Sequence, residues 1–363
     1  MNFSGSYRDG DVNFLLKRLP LADFVDVEHK ERLIQSGQRH YSEMLSPESL
    51  PSARYLQVFR DACEANLARM AQDCLTLAHL IAARRAGPVT LVSLARAGTP
   101  VGVVLKHLLE RVLERDTAHY SVSIIRDRGI DKVALEHILA KGHAGESIVF
   151  VDGWTGKGVI SGELASAVNT FNAERGTAID AGLYVLSDLA GSAVCAASCD
   201  DYLIPSSILN ATVSGLISRS ILNDAIGPGD FHGCVYYAQF EKADQSQRFA
   251  DELVTRAVAM AGSRVYGAVS PIDKEAAANV SGDYMQTALR QHGISDVNLV
   301  KPGIGEATRV LLRRSPRLLI VRDPAAVDVA HLLLLAQEKH IEVRVQPDLP
   351  YHAVSLIRSA TDG

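Results

Sequence analysis

Three short apolar runs, each ending in a polar loop, constrain the fold of this 363-residue chain more than any other feature. They are VTLVSLARAGTP, YSVSIIRDRGID and SIVFVDGWTGKG, and helix-like stretches such as VGVVLKHLLERVLER and KVALEHILAKGH lie between them. GLYVLSD and DDYLIP read as further strands. Strand, loop and helix in repetition are typical of an α/β unit on a parallel sheet, whose ligands bind beyond the carboxyl ends of the strands.

The segments on either side of this unit have a different texture. Before it, apolar residues three and four positions apart run from Leu56 to Leu77, which is the pattern of one buried helix face. After it, VNLVKPG, GEATRVLLRR, RLLIVRD and IEVRVQPD predict a second, smaller set of strands and helices. We therefore predict a helical region packed on the core over 1–85, the main α/β domain over 86–280, and a smaller α/β domain over 281–363.

The composition indicates a globular protein of the cytoplasm. Hydrophobic residues make up 47% and charged residues 22%, without eighteen consecutive apolar residues and without the pattern of a secretory signal at the amino terminus. Five cysteines, an odd number, agree with a reducing compartment. A formal net charge of −5 argues against a surface devoted to nucleic acid, but it permits a local basic patch.

The third loop is suited to a phosphate. Thr155, Gly156, Lys157 and Gly158 can point successive N–H groups at an anion, and a helix predicted to start near Val159 adds its positive end. A Walker A loop is excluded, because a glycine and not serine or threonine follows the lysine, and the loop has no GxGxxG pattern. A glycine-rich turn without a ligand is the alternative.

Two further loops favour the phosphate hypothesis. Gly98 beside Arg96 permits a close backbone approach, and Arg126 and Arg128 on either side of Asp127 suit an anion of high charge. Because these loops follow successive predicted strands, they are expected to meet at one edge of the sheet.

The loops resemble those of type I phosphoribosyltransferases. The resemblance is closer to the phosphoribosyltransferase-like proteins of tellurium-resistance and stress operons, a family also labelled cysteine protease StiP. It extends over nearly the whole chain and is carried by QRHYSEML, SLARAGTP, SIIRDRGID, FVDGWTGKG, DDYLIPSSILNATVSGLISRS and FHGCVYY.

This resemblance implies a type I fold, a homodimer and a phosphoribosyl pyrophosphate site with magnesium. Asp152 would contact the ribose and act in catalysis with Arg126 and Arg128, which stand in the place of a mobile loop. The second acid usual in the motif is Gly153 here, so the chain departs from the pattern. The residues implied to bind the donor, which is that molecule or a related sugar phosphate, are Arg96, Ala97, Gly98, Thr99, Asp152, Gly153, Trp154, Thr155, Gly156, Lys157 and Gly158.

The implied reaction is transfer of a phosphoribosyl group to form a nucleoside-like metabolite in a stress pathway. Stabilising the leaving pyrophosphate by magnesium and arginine would supply most of the catalysis. The acceptor would be recognised by Asp200, Asp201 and Tyr202, which follow the motif; solvated acids at a strand edge are the alternative for these positions.

The family label also raises a cysteine hydrolase as an alternative. Its nucleophile would be Cys195, Cys199 or Cys234, with His232 as base, since FHGC places a histidine and a cysteine two residues apart. Buried apolar cysteines are the plainer interpretation. A zinc site from the same residues matches no common spacing, and no metal ligand is assigned.

The C-terminal segment resembles the pelota-type RNA-binding domain. The motif KPGIGEATRVLLRR implies RNA contacts from Gly303, Gly305, Glu306 and Arg309 at a turn that opens a helix. Arg313, Arg314 and Arg317 would extend a basic stripe. A module kept for packing is the alternative, and a non-catalytic nucleotide sensor that binds RNA is the alternative for the whole chain.

Overall fold

The strands of the α/β unit assemble into one sheet in a computed structural model, which describes residues 3–21, 25–261 and 271–358. The strands are β1 (Asn13–Leu15), β2 (Lys17–Leu19), β3 (Val89–Ala95), β4 (Thr117–Ile125), β5 (Gly129–Ile130), β6 (Ile148–Thr155), β7 (Leu183–Asp188), β8 (Cys195–Ser198), β9 (Gly233–Val235), β10 (Val300–Pro302), β11 (Pro316–Val321), β12 (Glu342–Val345) and β13 (Ala353–Ile357). The helices are α1 (Val27–Gln35), α2 (Ala53–Arg84), α3 (Thr99–Arg111), α4 (Lys132–Ala140), α5 (Val159–Arg175), α6 (Ser246–Met260), α7 (Pro271–His292), α8 (Ile304–Arg313) and α9 (Ala330–Glu338).

The central sheet is mostly parallel, which confirms the predicted α/β class. Its order is β1-β4-β3-β6-β7-β8, every neighbouring pair in that order is parallel, and only the short β5 runs antiparallel, against β4. The inner strands β3 and β6 are apolar and buried along most of their length, as strands covered on both faces must be. The carboxyl ends of β3, β4 and β6 therefore bring the predicted loops to one edge.

The segment before the main domain is more than a helical layer. Helix α2 begins where the Ser52 side chain accepts the Tyr55 N–H, and it packs against α3, α6 and the sheet. Its apolar face is buried at Phe59, Met70 and Leu77. Strand β1, however, pairs with β4 and extends the central sheet. The first 85 residues are thus part of the same core.

The C-terminal unit has its own four-stranded sheet, in the order β10-β13-β11-β12. Strand β13 was absent from our sequence interpretation, and it pairs antiparallel with both β10 and β11. The segment DDYLIP, which we expected to be a strand, is not one, since β8 ends at Ser198. Asp200 and Asp201 instead contact other elements.

Across the described ranges, the structure contains no helix that is long and apolar enough to cross a membrane.

Candidate functional site

A basic cleft of about 920 Å³ lies between the central α/β unit and the C-terminal unit. Among the described residues, eight lysine and arginine side chains and four carboxylates line it, although the whole chain carries a formal charge of −5. A concave surface with this charge balance suits an anionic ligand. The lining charges are Lys30, Arg96, Arg126, Lys157, Arg219, Lys301, Arg309 and Arg314, with Glu48, Asp152, Asp296 and Glu306.

The loop between β6 and α5 forms one wall of the cleft. Gly158 precedes α5 with a φ of 74°, a left-handed conformation that favours glycine. Its N–H donates to Thr155 Oγ1 at 3.1 Å, which holds the loop in place. Gly156 lies against the C-terminal unit, since a Cβ there would stand 3.1 Å from the Pro302 oxygen. The N-terminus of α5 thus opens on the cleft beside the C-terminal unit.

The Lys157 ammonium crosses from this loop to the C-terminal unit. It donates to the carbonyl oxygens of Val297 at 2.8 Å and Val300 at 3.1 Å. Burial and the nearby Lys301 ammonium lower the pKa of Lys157 to about 7. An anion bound beside Lys157 would stabilise the charged ammonium and raise this pKa again.

Two carboxylates in the cleft have pKa values shifted in opposite directions. Burial raises the pKa of Asp152 to about 6, against the attraction of Arg309, and the Gly153 N–H donates to Asp152 Oδ1 at 2.8 Å. Burial alone would raise the pKa of Glu306, but Lys301 at 3.6 Å and Arg309 at 2.9 Å outweigh it and bring that pKa to about 2. A Cβ at Gly153 would meet open space, so the second carboxylate of the motif is missing for no steric reason.

Trp154 joins the two units from the same loop. The Arg309 guanidinium lies 4.3 Å from the centre of its indole ring, a cation–π contact. A Cβ at Gly305 would stand only 2.5 Å from the ring, so glycine permits this approach. The indole Nε1–H is buried and has no hydrogen-bond acceptor in the described part of the chain.

The loop after β3 forms contacts within the fold. The Arg96 guanidinium is buried, forms an ion pair with Glu48 at 2.7 Å and donates to the Ile217 oxygen at 2.6 Å. The Gly98 N–H donates to the Leu94 oxygen, and Thr99 Oγ1 forms a hydrogen bond with Ser121 Oγ. Arg96 lines the cleft, whereas Ala97, Gly98 and Thr99 do not. These groups already have partners within the fold, and the donor-binding role implied for them stays a prediction.

The two arginines after β4 separate. The Arg126 N–H donates to the Tyr41 hydroxyl at 2.8 Å, and its guanidinium lines the cleft beside Asp127. Arg128 pairs with Glu43 at 3.3 Å and does not line the cleft. The structure therefore keeps one of the paired cations at the site and removes Arg128 from it, because the backbone turns at Asp127, where φ is 65°.

The predicted acceptor pocket does not form at the cleft. Asp200 pairs with Arg69 outside it, and Tyr202 is buried beneath the same arginine. Asp201 accepts the N–H groups of Ile304 and His352, each at 2.8 Å. None of these three predicted residues lines the cleft, because β8 ends before them and the chain turns towards the C-terminal unit.

The residues predicted to contact RNA face inward. Glu306 and Arg309 line the cleft, and Gly305 packs on Trp154. Gly303 has a φ of 86° at the start of α8, where a Cβ would stand 2.5 Å from Leu189 of the central unit. The side chain of Arg313, from the predicted basic stripe, lies outside the described residues.

The cysteines do not assemble with the predicted base. His232 Nδ1 forms a hydrogen bond with Ser123 Oγ at 2.7 Å. Cys234 is fully buried, and this burial raises the pKa of its thiol to about 12. Burial also raises the pKa of Cys195. Cys199 is partly exposed, but burial and three aspartates raise its pKa to about 11. Within the described ranges, the hydrogen bonds join no thiol to a histidine, and no three His, Cys, Asp or Glu side chains are grouped for a metal ion.

Sequence reasoning missed several residues of the cleft. Glu48 lies in a loop before α2, and Arg219 lies in a segment without a regular pattern. Arg219 donates to the Met44 oxygen, and burial lowers its pKa to about 10. Of these missed residues, only Lys301 could have been found from the sequence, because it lies two residues before Gly303, which opens the turn. The others are brought to the site by contacts distant in sequence.

Comparison with known proteins places the chain. The family described as "Tellurite-like stress resistance cysteine protease StiP" matches residues 5–254. The chain belongs to this family. A second family, described as "PELOTA RNA binding domain", matches residues 279–359. The chain is also 42% identical to "Cysteine protease StiP" of Acinetobacter baylyi (strain ATCC 33305 / BD413 / ADP1), with 99% of this chain and 96% of that protein covered.

These matches confirm the resemblances to the StiP family and to the pelota-type RNA-binding domain. No solved structure matches the chain. The type I transferase-like fold and the pelota-like fold therefore stay predictions beyond the α/β class. The homodimer and magnesium also stay predictions.

The predicted reaction is wrong. The StiP family's description and the name of the Acinetobacter relative both state a cysteine protease, which is a hydrolase, and neither names a phosphoribosyltransferase. Two features of the loops also depart from what that reaction would use. Arg96 is neutralised by Glu48, and Gly153 replaces the acid that ribose recognition would use. Two parts of the prediction are confirmed: the chain belongs to a stress-resistance family, and its C-terminal segment matches an RNA-binding domain family.

Proposed function

We propose that the protein is a cysteine hydrolase of tellurite-like stress resistance, acting on peptide bonds. The observation that carries this proposal is the 42% identity to "Cysteine protease StiP" across 99% of the chain, which includes both parts of the fold. A function of the whole architecture, rather than of one shared module, best explains a likeness of that extent.

Cys199 is the candidate nucleophile. It follows β8 directly, at the carboxyl end of the central sheet, where α/β proteins place their ligands. Cys74, Cys195 and Cys234 are buried, and Cys63 lies on α2 away from that edge. Because only a thiolate attacks, the pKa of about 11 means that Cys199 needs a base that approaches when substrate binds.

A serine series tests the assignment with the full chain and a quenched fluorescent peptide library. We expect Cys199→Ser to lower the cleavage rate at least a hundredfold, and Cys63→Ser, the other partly exposed thiol, to leave it within twofold. Cleavage that survives in Cys199→Ser but is lost in another serine variant would contradict Cys199 and assign the nucleophile to that other cysteine. Cleavage that survives all five would remove the cysteine mechanism.

RNA binding by the C-terminal unit is a second proposed function, favoured by the family match over residues 279–359. Fluorescence anisotropy with a fluorescein-labelled RNA hairpin at 50 and 200 mM salt tests it. Affinity should fall with salt, and Arg309→Ala should reduce the salt slope by about one. Arg248→Ala, in an exposed pair with Glu252, is the matched control. No binding at 50 mM salt by the wild type, together with none by variants that weaken the contact between the two units, would refute this function.

We also propose that the cleft binds an anionic ligand through Arg126, Lys157 and Lys301. The excess of cations in the cleft supports this proposal. Pyrophosphate at ten times its dissociation constant should stabilise the folded chain by roughly 1.4 kcal/mol in a thermal-unfolding assay. The shift should vanish in Lys157→Met and persist in Lys132→Met, whose ammonium pairs with Glu174 on the surface. Equal shifts in both variants would refute the site.

A further inference from the structure

The turn that opens α8 is held against the central unit by a buried carboxylate. Asp201 Oδ1 accepts the Ile304 N–H, and Asp201 Oδ2 accepts the His352 N–H, both at 2.8 Å. Gly303, the residue before α8, supplies no capping side chain. The first N–H of the helix is therefore satisfied by a residue about a hundred positions earlier in the chain.

Two more contacts fix the same turn. Lys157 donates to the carbonyl oxygens of Val297 and Val300, which lead into β10 and the turn. Trp154 fills the space above Gly305, with the Arg309 guanidinium on its ring. A carboxylate, an ammonium group and an indole ring of the central unit thus all engage the short segment from β10 to the first turn of α8.

The Asp201 carboxylate occupies a position that also suits a phosphate. The N-terminus of a helix binds anions through its unpaired N–H groups and its positive end. Lys301 and Arg309 stand on either side of this turn, and both contact Glu306. An RNA phosphate at the Ile304 N–H would need the space that Asp201 holds.

We propose that the central unit is an internal competitor for RNA at the α8 turn, so that RNA binding requires Asp201 and Trp154 to separate from the C-terminal unit. This inference depends on the RNA-binding function proposed above for residues 279–359. It makes the contact of Asp201 with the α8 turn and RNA binding at that turn mutually exclusive, while the apolar packing between the two units stays in place.

The contact is one that a ligand can displace. Burial raises the pKa of Asp201 to about 6 in spite of the N–H groups that it accepts. The charged carboxylate is therefore held at a cost in desolvation, which subtracts from the strength of the docking contact.

Trp154 reports the docking directly, because it is the sole tryptophan of the 363 residues. In the full chain, the same RNA hairpin without its label should increase acrylamide quenching of its fluorescence and shift the emission to longer wavelength. Asp201→Asn places an amide against an N–H donor, so it should raise quenching without RNA and bind fluorescein-labelled RNA about tenfold more tightly. Asp200→Asn, in an exposed pair with Arg69, should behave as wild type.

Lys157→Met weakens the docking from a different residue and covers the case in which Asp201→Asn does not fold. It should show the same two changes. RNA that binds wild type and both docking variants equally, with Trp154 quenching unchanged, would overturn the competition and leave RNA binding intact. RNA that binds none of them would overturn the RNA function and the competition together.

Discussion

Lys157 shows how a sequence motif and its setting differ. The motif supplied a cation for a phosphate, and the fold placed that cation where it is poorly solvated, next to Lys301 and bonded to two carbonyl oxygens. The pKa of Lys157 falls to about 7 as a result. The charged form is thus destabilised in the folded protein relative to the unfolded chain, in which the pKa stays near 10.5.

This setting predicts a rise in stability with pH. Between about pH 7 and 10.5 the unfolded chain holds the Lys157 proton and the folded protein does not, so the free energy of unfolding should increase by up to a few kcal/mol. Urea unfolding at intervals across this range measures it. Lys157→Met should flatten the slope, and Lys132→Met should not; equal slopes in both variants would contradict the assignment.

Helices α5 and α8 each carry a glycine near their start, and the two glycines have different surroundings. In α5, a Cβ at Gly162 would meet open space. In α8, a Cβ at Gly305 would stand 2.5 Å from Trp154. Helix propensity favours alanine at both positions, so only the contact between the two units distinguishes them.

Matched alanine substitutions should therefore have opposite effects. Gly162→Ala should stabilise the protein by about 0.5–1 kcal/mol, because alanine loses less backbone entropy in a helix. Gly305→Ala should destabilise docking and increase acrylamide quenching of Trp154, because the indole ring must move. Thermal unfolding and quenching measure the two effects. Unchanged quenching in Gly305→Ala would show that the ring yields without undocking.

At the scale of the whole molecule, buried side chains pack together across the boundaries predicted from sequence. A single buried cluster includes Phe14 before α2, Met70 in α2, Val151 in the sheet and Leu311 in α8. Strand β1 adds to this continuity by pairing with β4. The boundary predicted at residue 85 consequently separates residues that pack together.

A chain starting at residue 86 should not fold. It lacks α2, whose side chains Met70, Leu75 and Leu77 are fully buried, and each such side chain contributes roughly 1.5–3 kcal/mol. These three together contribute roughly 4.5–9 kcal/mol, which is comparable to a net stability of about 5–15 kcal/mol, and α2 also buries Phe59, Leu67 and Ile81. Circular dichroism during heating measures the result, with Leu50→Ala, at an exposed position of the full chain, as the control. A cooperative transition in the truncated chain would contradict the shared core.

Local patterns predicted the α/β class, the strand β6, the start of α5 and the helix face from Phe59 to Leu77, because these depend on periodicity and on glycine at a turn. The same patterns failed at DDYLIP, where the Asp201 carboxylate accepts the N–H of Ile304 from the C-terminal unit. They also failed for the reaction. A loop motif indicates which groups are available for chemistry, but not whether a partner such as Glu48 already neutralises them.

The sequence by itself determined the alternation of strands and helices in the α/β unit, the family and the groups on each loop, since these depend on residues near one another in the chain. Only the tertiary structure decided which groups meet. It turned Asp201 and Glu306 inward, moved Arg128 away from the cleft and placed Trp154 under the α8 turn. The physical reason is that packing and charge pairing act between residues that lie tens to more than a hundred positions apart in the chain, as Arg128 and Glu43 or Asp201 and Ile304 do, whereas a local pattern covers only neighbouring residues.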